Sequence, residues 1–256
     1  MKIIVLVKQV PDTWGERKLN TDTGWLDRGA SELVIDEIDE RAVEVALAYK
    51  DSHKDTEVVV ATMGPAGATD VLRKGLAMGA DSAIHVLDDQ LAGSDVNWTS
   101  AVLASAITRA GYDLVIAGNE ATDGRGGVVP AAVAERLGVP HLTFLNTIEI
   151  SADSVKGQRG TENGTLDVHA SLPAVISVTE ASAEPRFPNF KGIMSAKKKP
   201  LETISVGDLG VELAGGGRSV VLSTAARPAR TAGTKIVDDG NAAVELAEFL
   251  KSNRLL

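Results

Sequence analysis

Apolar runs of strand length recur along the chain at Ile3–Val7, Glu57–Thr62, Ser82–Leu87, Asp113–Ala117 and Ala174–Val178. Each is rich in Val and Ile and lacks the alternation of a half-exposed strand, so each is expected to be covered on both faces. Between them lie segments with helical spacing: Asp36–Tyr49, Ala66–Met78, Asp95–Ala110 and Val129–Leu137. This β-α-β-α rhythm predicts a parallel sheet with crossover helices. The helix ends carry matching chemistry. Ser94 or Asp95 can accept from the free amides that open the third helix, and Gly111 follows its last residue, Ala110. Pro130 suits the first turn of the fourth helix, which Gly138-Val-Pro140 closes.

From about residue 146 the segments become shorter and more polar. Val155–Gly160 and Thr165–Ser171 read as a hairpin across a Glu162-Asn-Gly164 turn. After Val178 the parallel rhythm is lost. Glu180–Pro200 holds three of the nine prolines together with Lys197–Lys199, and is expected to be an exposed connection. Then follow a Gly215-Gly-Gly217 hinge, a short strand at Ser219–Leu222, an Ala/Arg/Pro linker and an amphipathic helix near Asn241–Lys251. So long a stretch is not expected of a surface loop, and it reads as an arm that lies on another protein.

Composition narrows the chemistry. The 256 residues are 44% hydrophobic and 24% charged, ordinary for a globular protein. Lys and Arg number 26 against 35 Asp and Glu, a net charge of −9 that disfavours nucleic acid. The absence of cysteine excludes disulfides, thiolate catalysis and cysteine-ligated clusters, so redox chemistry would need an organic cofactor. The first apolar run is too short for a signal segment or a membrane span, and no later run approaches one. The chain is expected not to be membrane-inserted and to stay in the cytoplasm, or in the mitochondrial matrix if eukaryotic.

In an open α/β sheet ligands sit at the carboxyl ends of the strands, which directs attention to the loops after Val7, Thr62 and Ala117. Gly64-Pro-Ala-Gly67 opens a helix whose amides could face an anion, or is a plain turn. Gly118–Gly127 holds four glycines between a strand and a helix. Glycines let backbone amides approach a phosphate, and Arg125 could add a charge-assisted contact. The alternative is a tight connection with a solvated arginine. The loop is neither a GxGxxG fingerprint nor a Walker loop. Asp36-Glu-Ile-Asp-Glu-Arg41 could suggest paired carboxylates, but first-turn acids that complement the helix dipole are the simpler reading. His53, His85, His141 and His169 stand apart without metal-ligand spacing, and no nucleophile accompanies a base, so no catalytic or metal residue is expected.

Several stretches in order resemble one family, the β subunit of electron transfer flavoprotein: Val7–Asp12, Arg41–Ala46, Met63–Ala66, Ala77–Asp81 with His85, Leu172–Ser177, Glu184–Arg186 and Ile193–Lys199. The resemblance implies a Rossmann-like parallel sheet of the adenine nucleotide α-hydrolase type, with a carboxyl-terminal extension that wraps on a partner subunit. On this division residues 1–182 form the nucleotide-binding domain, 183–200 a partner recognition loop and 201–256 an arm contacting the α subunit. It also implies an electron carrier rather than an enzyme. An α subunit would hold FAD, while this chain would bind AMP, or a second FAD as in electron-bifurcating relatives. Donors would be acyl-CoA dehydrogenases and other flavin dehydrogenases of fatty acid β-oxidation, and the acceptor a membrane quinone oxidoreductase.

Carried over by position, the nucleotide site would comprise Leu6, Asp36, Asp39, Met63, Gly118, Ala121, Thr122, Asp123, Gly124, Arg125, Gly126, Gly127, Val128 and Val129. Many relatives have Asn-Pro-Phe at Asp36-Glu-Ile38 and polar side chains at Gly127-Val-Val129, which here leaves backbone amides and Arg125 to hold a phosphate. Gly160 stands where relatives carry an acid facing the flavin domain, with Glu162 nearby. The docking residues would be Pro185, Arg186, Phe190, Ile193 and Met194, with Phe190 inserted into the dehydrogenase. Lys197–Lys199 would steer acidic partners or form a solvated charge run. A stand-alone adenine-nucleotide-binding protein of the universal-stress type is the alternative from another class.

Overall fold

The computed structural model describes residues 1–211, 219 and 221–256. The chain opens with β1 (Lys2–Leu6), β2 (Gln9–Pro11), β3 (Lys18–Leu19), β4 (Leu26–Asp27) and β5 (Leu33–Ile35), then α1 (Glu37–Ser52) and β6 (Glu57–Met63). It continues through α2 (Thr69–Met78), β7 (Ser82–Val86), α3 (Val96–Ala110), β8 (Leu114–Gly118) and α4 (Val129–Leu137). Next come β9 (His141–Ile150), β10 (Ser154–Thr161), β11 (Gly164–Ser171) and β12 (Ala174–Val178). Last are α5 (Phe190–Ala196), β13 (Leu201–Ile204), α6 (Val206–Leu209) and α7 (Ala242–Ser252).

Among the described residues, nine strands form one sheet in the order β11-β10-β9-β12-β8-β1-β6-β7-β13. Seven of them run parallel from β9 to β13, and the β10–β11 hairpin adds antiparallel ladders beside β9. The two-faced burial expected of the strands is present. In β1, Ile3 and Val5 join the cluster under α1 and α2, while Ile4 and Leu6 join the one under α3 and α4. Each such side chain, fully buried, contributes about 1.5–3 kcal/mol relative to exposure. The helix ends also match their expected chemistry. Asp95 caps α3, accepting from Trp98 N–H at 3.0 Å, and Gly138 closes α4 in the left-handed region.

The second half departs from expectation in four places. The parallel order is not lost after Val178, because β13 returns to pair with β7 at the sheet edge. Residues 180–200 are not simply an exposed connection, since α5 forms within them and packs on α2 with Ala196 buried. Lys199 is not part of a solvated run: its ammonium donates to the carbonyls of Leu76 and Ala80 at 2.9 and 2.5 Å, satisfying the exposed end of α2. Burial lowers its pKa. The described residues at 219, 221 and 222 carry no strand, and the Gly215–Gly217 hinge lies outside the described residues.

The chain divides into two compact units, Met1–Leu222 and Ser223–Leu256. The second contains α7, in which no residue is buried and Val244, Leu246 and Phe249 are exposed. Among the described residues, no helix is long and apolar enough to cross a membrane.

Candidate nucleotide-binding site

A cleft of about 1440 Å³ opens at the carboxyl ends of β1, β6 and β8. Its floor runs from Leu6 to Gln9, from Ala61 to Gly64 and from Ala117 to Asn119. One wall is the segment leading into α3, with Asp88, Asp89 and Asp95. The other is the glycine loop with Arg125 and the start of α4, and Arg136 from the last turn of α4 also lines the cleft. This is where a doubly wound sheet leaves room for a ligand, because the crossover helices diverge there.

Three carboxylates hold the glycine loop in place. Asp39, on the first turn of α1, accepts from Gly118 N–H at 3.0 Å and from Lys8 N–H at 2.8 Å. It thereby joins the ends of β8 and β1. A side chain at 118 would put its Cβ 2.5 Å from Asp39 Oδ1, so only glycine admits this approach. Asp36, wholly buried, caps α1 through Ile38 N–H at 2.9 Å and accepts from Thr122 N–H at 2.7 Å. The Asp123 side chain is 3% exposed and accepts from Lys8 Nζ at 2.7 Å and from Arg28 at 3.1 Å. The first-turn acids thus do more than complement a dipole: Asp36 and Asp39 reach across to the loop that local sequence cannot show them touching.

The pKa shifts follow these surroundings. Burial, with the Asp36 charge beside it, pushes Asp39 well above the ordinary range, opposed by its two amide donors. For Asp123, burial pushes upward, but the cations of Lys8 and Arg28 prevail and hold it low. A lowered native pKa makes Asp123 stabilising above its ordinary value of about 3.9, and that stabilisation is lost as pH falls through the lower native value. Asp123→Asn is therefore expected to cost about 2 kcal/mol at neutral pH and to remove this acid-dependent component. Urea denaturation at pH 7 and below pH 4 checks both.

The loop's end is shaped to receive an anion. Arg125 and Gly127 have φ of 47° and 65°. Val128 precedes α4 without a side-chain cap, and Arg125 makes no ion pair among the described residues. Unpaired first-turn amides and a cation form a phosphate-binding arrangement. On the floor, Gln9 Oε1, Thr62 Oγ1 and Asn119 Oδ1 are buried without a hydrogen-bond partner among the described residues. Such orphaned atoms imply a ligand or water that completes them. The residues therefore fit a polar, phosphate-bearing molecule.

Of the nucleotide-site residues read from sequence, Leu6, Asp39, Met63, Gly118, Ala121, Gly124, Arg125, Gly126, Gly127 and Val129 line the cleft. Asp36, Thr122, Asp123 and Val128 do not; the first three brace the loop from behind, and Val128 is exposed. Sequence reasoning did not name Lys8, Gln9, Thr62, Trp25 or Arg28 as site residues, although the first three lie at the strand ends to which it directed attention.

The docking residues lie apart from the cleft. Phe190, Ile193 and Met194 are exposed at i, i+3 and i+4 of α5, joined by Phe187, which sequence did not single out. Arg186 is a clamp: its guanidinium takes Glu44 at 2.7 and 2.8 Å and Asp51 at 2.8 Å, tying the segment to α1. Pro185 precedes it, half-buried. His85 is a core residue, with Nε2 3.0 Å from Gly64 O and Nδ1 3.2 Å from Thr69 Oγ1.

Comparison with known proteins identifies the family. The family described as Electron transfer flavoprotein domain matches residues 23–209. The electron transfer flavoprotein subunit beta of Mycobacterium leprae is 48% identical over 264 aligned residues, covering 99% of both chains. That of Megasphaera elsdenii is 34% identical over the full length of both. The caffeyl-CoA reductase–Etf complex subunit CarD of Acetobacterium woodii is 37% identical, over 82% of this chain and 80% of its own. With the sheet, the cleft and these full-length similarities together, the chain belongs to the electron transfer flavoprotein family, among its β subunits.

Proposed function

We propose that this chain is the nucleotide-gripping half of a two-subunit electron carrier that accepts electrons from acyl-CoA dehydrogenase-type flavoenzymes and delivers them to a membrane quinone oxidoreductase. Family membership makes it part of a flavin-associated electron carrier with an α subunit as partner. In this reading the α subunit holds the redox-active FAD, which when bound supplies the one-electron chemistry. This chain binds AMP structurally and presents α5 to the donor. The arm after Leu222, with the exposed apolar side chains of α7, lies on the α subunit.

The cleft supports the nucleotide assignment more than any other feature. A phosphate fits the unpaired amides at the start of α4 beside Arg125, while the acids of the opposite wall repel it. That polarity orients a nucleotide with its phosphate toward the glycine loop. Ribose hydroxyl and exocyclic amino groups then face the orphaned oxygens of Gln9, Thr62 and Asn119.

The size of the cleft favours a second reading, in which FAD occupies it. At about 1440 Å³ it exceeds the roughly 300–1,000 Å³ usual for small ligands. Coexpression with the α subunit, denaturation of the purified complex and chromatographic counting of flavin and AMP distinguish the two. One flavin with one AMP is expected. Two flavins without AMP establish the second reading, and a complex without any adenine nucleotide beyond the α-subunit FAD contradicts both.

A further inference from the structure

Between β2 and β5 the chain leaves the sheet and returns, forming a strap from Asp12 to Glu32. Its base is closed by Asp12 N–H donating to Glu32 O at 2.9 Å. Its far end is the β3–β4 ladder, two residues per strand, with Asn20 N–H donating to Trp25 O at 2.8 Å. So short a ladder does not hold itself in water, and the position of the strap depends on what it grips.

It grips both walls of the cleft. Toward the glycine loop, Arg17 donates to Thr122 O at 2.5 Å and Arg28 to Asp123 at 3.1 Å, while Arg28 also reaches Gln9 O on the floor at 2.9 Å. On the acidic wall the contact is apolar: the indole of Trp25 lies against Gly93, in the segment leading to α3. Gly93 has φ of 74°, and a Cβ there would fall 2.7 Å from Trp25 Cε2 and 3.0 Å from Nε1. Both the backbone and the ring therefore demand glycine at this position. Trp25, Leu26 and Arg28 line the cleft between the two walls, and Trp25 is still 48% exposed.

We propose that Trp25 latches this strap over the cleft, so that a bound adenine nucleotide leaves only when the indole parts from Gly93. This inference rests on the reading that the cleft holds such a nucleotide. The arginine contacts anchor one side of the strap through charge-assisted bonds, whereas at Trp25 the indole meets the Gly93 backbone without donating a hydrogen bond among the described residues. Opening is therefore expected at that side, in the manner of loops that gate release in other binding sites.

The test uses the purified α/β complex and the nucleotide that extraction finds in the cleft, AMP or FAD, exchanged against excess radiolabelled nucleotide of the same kind. Trp25→Ala is expected to speed exchange at least tenfold, and Gly93→Ala to do likewise by displacing the ring. Trp25→Phe, which restores an aromatic face, should bring exchange back to within about threefold of the parent. Subunit pairing and α-subunit flavin absorbance, followed alongside, report any general loss of structure. Unchanged exchange in Trp25→Ala, with the parent complex loaded, overturns the latch and leaves the nucleotide assignment standing. A parent complex with no nucleotide in the cleft overturns that assignment and the latch with it.

Discussion

Replacing Asp39 with alanine is expected to destabilise the complex by about 3 kcal/mol and to empty the cleft of its nucleotide. The carboxylate joins the end of β1 to the end of β8 through Lys8 N–H and Gly118 N–H. Without it two amides in the interior lose their acceptor, at about 1–3 kcal/mol each before relaxation. The glycine loop also loses the tie at its first residue. Asp39→Asn separates charge from geometry. Because burial raises the native pKa of Asp39, its contribution to folding is complete below the ordinary value of about 3.9 and diminishes as pH rises through the native value. The advantage of the parent over Asp39→Asn is thus expected to shrink with rising pH. Urea denaturation of both variants across pH 5–9, with the nucleotide counted after gel filtration, measures this. An Asp39→Ala complex that keeps its nucleotide and loses under about 0.5 kcal/mol would show that the loop is held otherwise.

Phe190→Ala is expected to lower kcat/KM for reduction of the carrier by its donor dehydrogenase about thirtyfold, the equivalent of about 2 kcal/mol at an interface hot spot. Phe187, Phe190, Ile193 and Met194 present a cluster of exposed apolar side chains, with Phe190 itself 79% exposed. The cluster is presented rigidly. Asn189 caps α5 by accepting from Gly192 N–H at 2.8 Å, Arg186 clamps the approach to α1, and Lys199 fastens the exit to the end of α2. A preformed anchor loses little freedom on docking, so truncating Phe190 removes contact area with little compensating gain in freedom. Chemical reduction of the flavin by dithionite should be unaffected. Equal kcat/KM for parent and variant would place docking elsewhere.

The sheet was legible because its central strands are covered on both faces. Ile3–Val7 and Ala174–Val178 could be read directly, since burial on two sides demands continuous apolar sequence. β9 was not, because its buried residues, Leu142, Thr143 and Leu145, are interrupted by exposed Phe144 and its second half alternates with solvent. β13 escaped for a related reason: four residues at an edge, two of them the exposed Glu202 and Thr203, carry too little pattern. Within the site the glycine loop was readable from composition, but its bracing was not. Asp36 and Asp39 follow the local pattern of first-turn acids, and only the packed fold brings them to Thr122 and Gly118. Lys199 looked like one member of a charged run until α2 ended beneath it. The Trp25–Gly93 contact joins segments distant in sequence, where neither residue announces the other.

The central claim, that this chain works as one half of a flavin carrier and not alone, is tested most directly by purifying it from cells that coexpress its genomic neighbour. The account predicts a yellow one-to-one heterodimer that carries an adenine nucleotide in addition to the α-subunit flavin, and whose flavin absorbance bleaches on mixing with a reduced acyl-CoA dehydrogenase-type donor. A colourless, folded chain that purifies without the neighbour and exchanges no electrons with such a donor would contradict it.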